Sequence, residues 1–116
     1  MARLSIQIEL APEVRVGPGR VRLLELIAER GSISAADRAL GVSYRRAWLL
    51  LDELHRTFAE PVVEGQIGGR GGGGAVVTPF GIRLIASYRT IEQDVAAIPA
   101  AHLSGLESVL AADCLT

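Results

Sequence analysis

Residues 31–48 read GSISAADRALGVSYRRAW, and the fold class can be predicted from this segment. Small alanines predict a short helix over 34–40 that ends at Gly41, since glycine readily adopts the left-handed backbone of a tight turn. Ser43 is a favoured N-cap for a second helix, which should reach about Phe58. Two helices joined by such a turn indicate a helix-turn-helix, in which the N-terminal residues of the second helix enter the major groove of DNA.

The second helix has an apolar face and a polar, cationic one. At about 100° per residue, Ala47, Leu51, Leu54 and Phe58 share the face that is predicted to be core. The first turns of the remaining faces carry aromatic and cationic side chains, and arginine there can bond guanine or a phosphate. The residues that we predict to contact DNA in this helix and at its cap are Ser43, Tyr44, Arg45, Arg46 and Trp48.

Two apolar positions on the same helix, Trp48 and Leu49, have competing interpretations. Trp48 fits a DNA contact and fits equally well a cover over the edge of the core. Leu49, on the polar face, fits a contact with a thymine methyl group or a lone exposed apolar residue. The carboxylates of Asp52 and Glu53 are most simply a solvated face. Because they would repel phosphate, this half of the helix should lie away from the DNA backbone.

On the N-terminal side of the helix-turn-helix, the sequence predicts a strand hairpin and a further helix. Apolar and polar residues alternate over 4–10 and again over 14–16, which indicates two short strands. Apolar residues then recur at helical spacing over 18–30, and Gly31 ends that helix.

On the C-terminal side, two short strands and a long helix follow. The strands are predicted over 62–67 and 75–77, and the helix over 79–98 begins with a proline. Residues 1–98 are therefore predicted to form one winged helix-turn-helix domain. It should be mainly α with small antiparallel β elements, an N-terminal β-hairpin and a long C-terminal helix. Residues 99–116 are predicted to be a tail or a short helix.

The composition fits one domain and excludes several classes of protein. Hydrophobic residues make up 49% of the 116 residues, which suffices for a core. No apolar run approaches the ~18 residues of a membrane span, and no signal peptide is evident. Cys114 is the single cysteine, so a disulfide framework is excluded and a cytoplasmic location fits. The net charge is −1, so DNA binding must come from where the arginines are placed.

The tract GQIGGRGGGG at 65–74 joins the two C-terminal strands and is predicted to be the tip of the wing. Glycines accept positive φ and have no side chains to clash, so the loop can lie close to a sugar-phosphate edge. Arg70 is the one charge in the tract, and we predict that it reaches a phosphate or the minor groove. Alternatively, the glycines only close the hairpin and Arg70 stays solvated. Without DNA, we expect 68–74 to be mobile.

An apolar stripe on the long helix predicts a homodimer. Its members recur at spacings of three and four, close to a heptad seam. A two-fold dimer would place two recognition helices about one DNA turn apart, to match a palindrome. The alternative is that the stripe packs on the chain's own N-terminal hairpin. The stripe consists of Phe80, Leu84, Tyr88, Ile91, Val95 and Ile98.

An enzyme and a protein-binding module are the alternatives to DNA binding. Gly69, Gly71 and Gly74 match a dinucleotide-binding pattern, but that pattern must open a helix, and here the strand-like sequence AVVT follows. A P-loop needs a lysine, which the chain lacks, and the two histidines and the cysteine are isolated. We therefore predict no catalysis and no cofactor. Because the net charge is close to zero, a second function stays possible: a winged-helix module that binds protein, as the partner of a full-length regulator.

Two segments of the chain resemble the N-terminal DNA-binding domain of ModE-type, molybdate-responsive transcriptional regulators. They are GPGRVRLLELIAERGSISAADRALGVSYRRAW at 17–48 and GGRGGGGAVVTPFGIRLIASY at 68–88, within a likeness that spans about 4–98. The helix-turn-helix alone would also suit the wider LysR-like winged-helix group. The resemblance implies a dimeric repressor or activator on a palindromic operator, often near molybdate-uptake genes. By position, it implies DNA contacts by Ser32, Ser34, Ser43, Tyr44, Arg45, Arg46, Trp48 and Arg70.

The chain departs from this family after the long helix. Full-length members continue into molybdate-binding domains, whereas about 18 residues follow Ile98 here. We therefore expect a stand-alone DNA-binding domain that does not itself bind molybdate. The signal that controls it, the sign of its regulation and the involvement of molybdenum in its targets stay open.

Overall fold

The computed structural model describes residues 2–66, 74–98 and 100–115. Two antiparallel two-stranded sheets flank the helices of a winged helix-turn-helix. None of the helices in these ranges is long and apolar enough to cross a membrane. The elements are β1 (Ile8–Ala11), β2 (Val14–Val16), α1 (Pro18–Arg30), α2 (Ile33–Leu40), α3 (Tyr44–Thr57), β3 (Val63–Gln66), β4 (Gly74–Val77), α4 (Pro79–Ala96), α5 (Ala101–Glu107) and a 3-10 turn (Ala112–Leu115).

The predicted fold class is confirmed, and four helices lie where helices were predicted. The helix predicted over 79–98 ends at Ala96, because the residue before a proline, here Ile98, disfavours helical backbone. The strand β1 is shorter than the alternation over 4–10 suggested. Its partner β2 has only three residues, because Pro18 begins α1 soon after it. Ile8 therefore already pairs with Val16 at the end of β2, and 4–7 have no strand opposite them in the described chain. The C-terminal segment contains the short helix α5 and the 3-10 turn.

The helix-turn-helix is formed by local hydrogen bonds. The Oγ atoms of Ser32 and Ser43 accept backbone N–H groups at 3.1 and 3.0 Å, so each serine caps the helix that follows it. Gly41 has a φ of 81°, and its N–H donates to the Asp37 carbonyl. The predicted cap at Ser43 and the predicted left-handed turn at Gly41 are both confirmed.

The apolar face of α3 is buried, as its periodicity predicts. Ala47, Leu51 and Leu54 are at most 1% exposed, while Phe58 is half-buried and packs edge-on against Phe80 with ring centroids 5.1 Å apart. These side chains belong to a core that also includes residues of α1, β2 and α4, which holds α3 at a defined place in the domain. The largest fully buried side chains elsewhere in this core are Val16, Val21, Leu23, Leu24, Ile27, Val62 and Tyr88.

The ribbon of β3 and β4, which is the wing, is joined to the helical core at its root. Its strands pair antiparallel, with Val63 opposite Val77 at the root. The Ala75 N–H donates to the Gly31 carbonyl at the end of α1, at 2.9 Å. This hydrogen bond joins the wing to the end of α1. Of the predicted wing tip at 65–74, residues 65, 66 and 74 belong to β3 and β4. The rest, 67–73, lies outside the described residues, and so does the mobility that was expected there.

The middle of α4 is fastened to the rest of the domain by polar contacts. Tyr88 is 1% exposed, and its hydroxyl donates to the Ile6 carbonyl at 2.6 Å. Burial raises the pKa of this hydroxyl. Arg89 donates two hydrogen bonds to Glu25 of α1, at 2.6 and 3.0 Å, and another to Glu92 at 2.6 Å. These contacts join α4 to α1 and to the segment before β1.

The far end of α4 and the elements after it extend away from the core. The chain measures 56 × 30 × 24 Å and has a radius of gyration of 17.2 Å. A compact domain of this length would have a radius of roughly 13 Å. Ile98 and Leu106 are 61% and 68% exposed. This end of the chain therefore carries apolar side chains that the described residues leave uncovered.

The Glu25–Arg89 pair predicts an acid-dependent loss of stability. The hydrogen bonds from Arg89 lower the pKa of the Glu25 carboxyl. Because the folded-state pKa is the lower one, the pair stabilises the fold fully above the unfolded pKa, and this contribution is lost as the pH falls through the folded pKa. We expect Glu25→Gln to lower the free energy of unfolding at pH 7 by about 0.5–1 kcal/mol, since both side chains are partly exposed. Urea unfolding should show that the stability difference between the variant and the parent narrows below about pH 4. A difference of the same size at pH 7 and below pH 4 would show that it does not come from the Glu25 carboxylate.

Candidate nucleic-acid interface

The first two turns of α3 form an exposed aromatic and cationic surface. Tyr44 and Trp48 are 52% and 46% exposed, and their rings meet edge to face with centroids 6.1 Å apart. Arg45 and Arg46 are exposed as well, and within the described part of the chain they form no ion pair. The structure therefore brings four predicted residues together at the positive end of the α3 dipole, with their cations available to an anionic partner.

Arg46 lies on the side of α3 that faces α1, close to Arg20. Burial, and secondly the charge of Arg46, lower the pKa of the Arg20 guanidinium. Arg20 in turn donates a hydrogen bond to Glu53, two turns further along α3. Glu53, which was expected to be simply solvated, therefore ties α3 to α1, whereas Asp52 pairs with Arg56 at the surface at 3.1 Å.

Three predicted serines lie at the N-termini of α2 and α3. The Oγ atoms of Ser32 and Ser43 already accept the capping hydrogen bonds, so each hydroxyl keeps its hydrogen as a donor. Ser34 is exposed in the first turn of α2. These hydroxyls and the free N–H groups of the two helix starts are suited to binding phosphate oxygens.

A cleft of about 330 Å³ lies between α3 and the root of the wing. Ser34, Tyr44, Trp48 and His55 line its helical side, and Val63, Gly65 and Ala75 line its wing side. The Nε2 atom of His55 accepts the Val63 N–H at 3.4 Å, which joins the C-terminal half of α3 to β3. Sequence reasoning missed His55 because a lone histidine carries no signal until the strand beside it is known.

The residues predicted for a dimer seam fall into two groups. Tyr88 is buried in the core of its own chain, while Leu84 and Val95 are half-buried and Ile91 and Ile98 are exposed. Leu84 and Ile91 also line an apolar groove of about 320 Å³ between α4 and the N-terminal hairpin. The stripe therefore packs partly on the chain's own hairpin, the alternative that the sequence left open, and is exposed towards its end.

The candidate site consists of the start of α3, the caps beside it and the cleft below the wing. Arg70 and its predicted contact with DNA lie outside the described residues. Within the ranges 2–66, 74–98 and 100–115, no group of three or more His, Cys, Asp or Glu side chains is placed to hold a metal ion. The chemistry of the site is therefore that of its arginines, aromatic rings, hydroxyls and free backbone N–H groups.

Comparisons with known proteins identify relatives over most of the chain. No protein-family model matches it. It is 46% identical over 99 residues to the molybdenum-pterin-binding protein MopB of Rhodobacter capsulatus, which covers 85% of this chain and 35% of MopB. It is 38% identical over 92 residues to the DNA-binding transcriptional dual regulator ModE of Escherichia coli K12, which covers 79% and 35% of the two chains. The molybdenum transport protein ModE of Azotobacter vinelandii is 37% identical over 92 residues, with 79% and 33% covered. The chain thus spans about a third of the length of these relatives.

Proposed function

Because the chain belongs to the family of the ModE regulators and the Mop molybdenum-binding proteins, we propose that it is a sequence-specific DNA-binding transcriptional regulator of the molybdate-responsive ModE type. The observation that carries this proposal is the surface at the start of α3. Tyr44, Arg45 and Trp48 are exposed there, on a helix whose opposite face is held in the core. A recognition helix needs this combination of a fixed position and accessible base-contacting side chains.

Three parts of the domain support one docking geometry on DNA. With α3 in the major groove, Arg45 and Arg46 would contact guanine edges or phosphates. The N-termini of α2 and α3 present N–H groups to phosphate, and Arg70 in the wing would reach a phosphate or the minor groove. We propose that four hydroxyl groups also contact DNA phosphates, those of Ser32, Ser34, Ser43 and Tyr44.

The proposal includes a homodimer on a palindromic operator. Ile91 on α4 and Ile98 just after its end are exposed, beyond the part that Tyr88 fixes in the core. These two side chains are 41% and 61% exposed, so the described residues leave much of this apolar surface uncovered. A second copy, related by a two-fold axis, would cover it with the same surface and would set the two α3 helices at half-site spacing. Leu84 and Val95, which are half-buried, would border the contact.

The DNA-binding proposal is tested by selecting duplexes from a random-sequence library with the purified protein and measuring affinity for the selected site. We expect Arg45→Ala to weaken binding by about 1–3 kcal/mol, with relaxed preference at one base position, because alanine cannot bond a guanine edge. Arg22→Ala is the matched control, since Arg22 is an exposed arginine on α1 that pairs with Glu25. It should bind as the parent does.

The same measurement has a clear negative outcome. Phosphate contacts strengthen as salt is lowered, so a parent protein that binds no duplex at low salt is not a DNA-binding protein. That result would favour a winged helix that assembles with a full-length ModE regulator, an alternative that the net charge of −1 supports. Sedimentation of this chain mixed with a full-length ModE protein would then show a complex.

The link to molybdenum concerns the targets and the signal. The names of the relatives refer to molybdenum transport and molybdenum-pterin binding. Our proposal assigns no molybdate-binding role to the residues of this chain, and it places the protein in the cytoplasm, where it meets DNA. If the sequence selected from the library also occurs in the genome beside genes for molybdate uptake, a molybdenum-related role is supported.

A further inference from the structure

We propose that the cleft between α3 and the wing root seats the sugar-phosphate strand that separates the major groove from the adjacent minor groove. This inference rests on the proposed DNA-binding function and assigns new positions to it. In this inference His55 contacts a phosphate, and the missing side chain at Gly65 leaves room in the cleft for the DNA strand. His55 does not belong to the surface that was predicted from the sequence, and Gly65 was predicted only as the first residue of the glycine tract at 65–74.

The position of the cleft follows from the geometry of duplex DNA. The two grooves are separated by one sugar-phosphate strand on each side. If α3 occupies the major groove and the wing reaches the neighbouring minor groove, that strand has to pass between them. The space between them is the cleft, with Trp48 on the helical side and Ala75 at the wing root.

The chemistry of the lining fits a phosphodiester. The residues that line the cleft include no carboxylate, and the hydroxyls of Ser34 and Tyr44 and the indole N–H of Trp48 supply donors. His55 adds a further donor. Its Nε2 atom accepts the Val63 N–H, so in the neutral ring Nδ1 carries the hydrogen and is the nitrogen that remains for a phosphate oxygen.

Gly65 lines the wing side of the cleft and has no side chain there. It pairs with Ala75 across the ribbon and shares a ribbon face with Val63, since side chains alternate along a strand. A Cβ atom added at Gly65 would meet nothing within 4 Å, and its φ is not in the left-handed region. The backbone there does not require glycine, so the missing side chain leaves room for a partner to approach the strand closely.

The test is Gly65→Val, which adds a side chain on the wing side of the cleft, at a position where a Cβ atom would meet nothing within 4 Å. Valine also favours a strand, so the variant should unfold at the same or a higher urea concentration than the parent. We expect its affinity to fall at least about tenfold on the selected duplex and equally on an unrelated duplex. Its salt dependence should be shallower by about one unit of slope for each phosphate that the variant no longer reaches.

A matched control is Val76→Phe on the other face of the same ribbon, where Val76 is exposed opposite Glu64. This variant adds bulk outside the cleft and should bind as the parent does. A Gly65→Val protein that binds with parental affinity and salt slope overturns the cleft proposal while DNA binding stands. A parent that binds neither duplex at low salt overturns the proposed function itself.

A second variant keeps the test decisive if Gly65→Val does not fold. Trp48→Phe keeps an aromatic ring in the cleft and removes the indole N–H. We expect affinity to fall by about threefold to tenfold, and by the same factor on both duplexes. A decrease in affinity for the selected duplex alone would show that Trp48 contacts a base. It would contradict a contact between Trp48 and the sugar-phosphate strand in the cleft.

Discussion

Gly81→Ala is expected to lower the free energy of unfolding by about 2–3 kcal/mol, the upper part of the range for overpacking a core. Gly81 lies in the first turn of α4, where its N–H donates to the Thr78 hydroxyl at 3.0 Å. A Cβ atom there would overlap the Val62 carbonyl oxygen and lie 2.5 Å from Cγ1 of Val77. The first of these is backbone, which cannot turn aside as a flexible side chain would. Helix propensity acts in the opposite direction by about 1 kcal/mol, so the clash is the larger effect.

Gly19→Ala is the matched control for this change. Gly19 also lies in the first turn of a helix that begins with proline, and a Cβ atom there would meet nothing within 4 Å. This variant should be equal to the parent or more stable by up to about 1 kcal/mol. Urea unfolding of both variants measures the difference. Equal stability of Gly81→Ala and the parent would show that α4 can move away from Val62 at no cost, and would contradict close packing at this position.

Ile91→Glu is expected to convert the proposed dimer into a monomer of 12.3 kDa and to weaken binding to a palindromic duplex by about 100-fold or more. Ile91 is 41% exposed, so the variant should fold while placing a carboxylate in the apolar contact between the two copies. Affinity falls because two half-sites are no longer bound by one linked unit. Binding to a single half-site should stay unchanged, which separates a failure to dimerise from damage to α3.

Sedimentation and binding assays on Gln93→Glu provide the control. Gln93 is exposed on a different face of α4, and its replacement changes the charge by the same amount. This variant should remain a dimer and bind the palindrome as the parent does. If the parent itself has the mass of a monomer at the concentration used for binding, the dimer proposal is wrong. If Ile91→Glu stays a dimer, the contact lies on another surface.

Much of the fold could be predicted because its signals act over a few residues. A serine that caps a helix and a glycine that ends one interact within a single turn, so the bounds of α2 and the start of α3 follow from residues such as Ser43 and Gly41. The end of α4, which no glycine marks, was predicted two residues too late. The buried face of α3 could be predicted for a similar reason, since its period of 3.6 residues selects Ala47, Leu51 and Leu54. The cationic and aromatic residues at the start of α3 could be predicted to be exposed, because they occupy the other faces of the same helix.

The contacts that the sequence did not predict join residues far apart in the chain. Glu53 looked like a solvated carboxylate, but Arg20 lies 33 residues away in sequence and binds it. His55 looked isolated until β3 was placed beside it. The length of β1 depended on how many residues its partner strand has before α1 begins. In each case the missing information was the position of another element.

The helix-turn-helix, the approximate ends of its helices and the side chains exposed at the start of α3 could all be predicted from local sequence patterns. The packing of the whole chain was needed to see how the apolar stripe that begins on α4 is divided, with Tyr88 buried in the core and Ile91 and Ile98 exposed. It also decided that α3 and the wing enclose a cleft and that α4 approaches Val62 closely at Gly81. The physical reason is that periodicity identifies which face of a helix is apolar. What covers that face depends on the packing of distant segments, which no local pattern encodes.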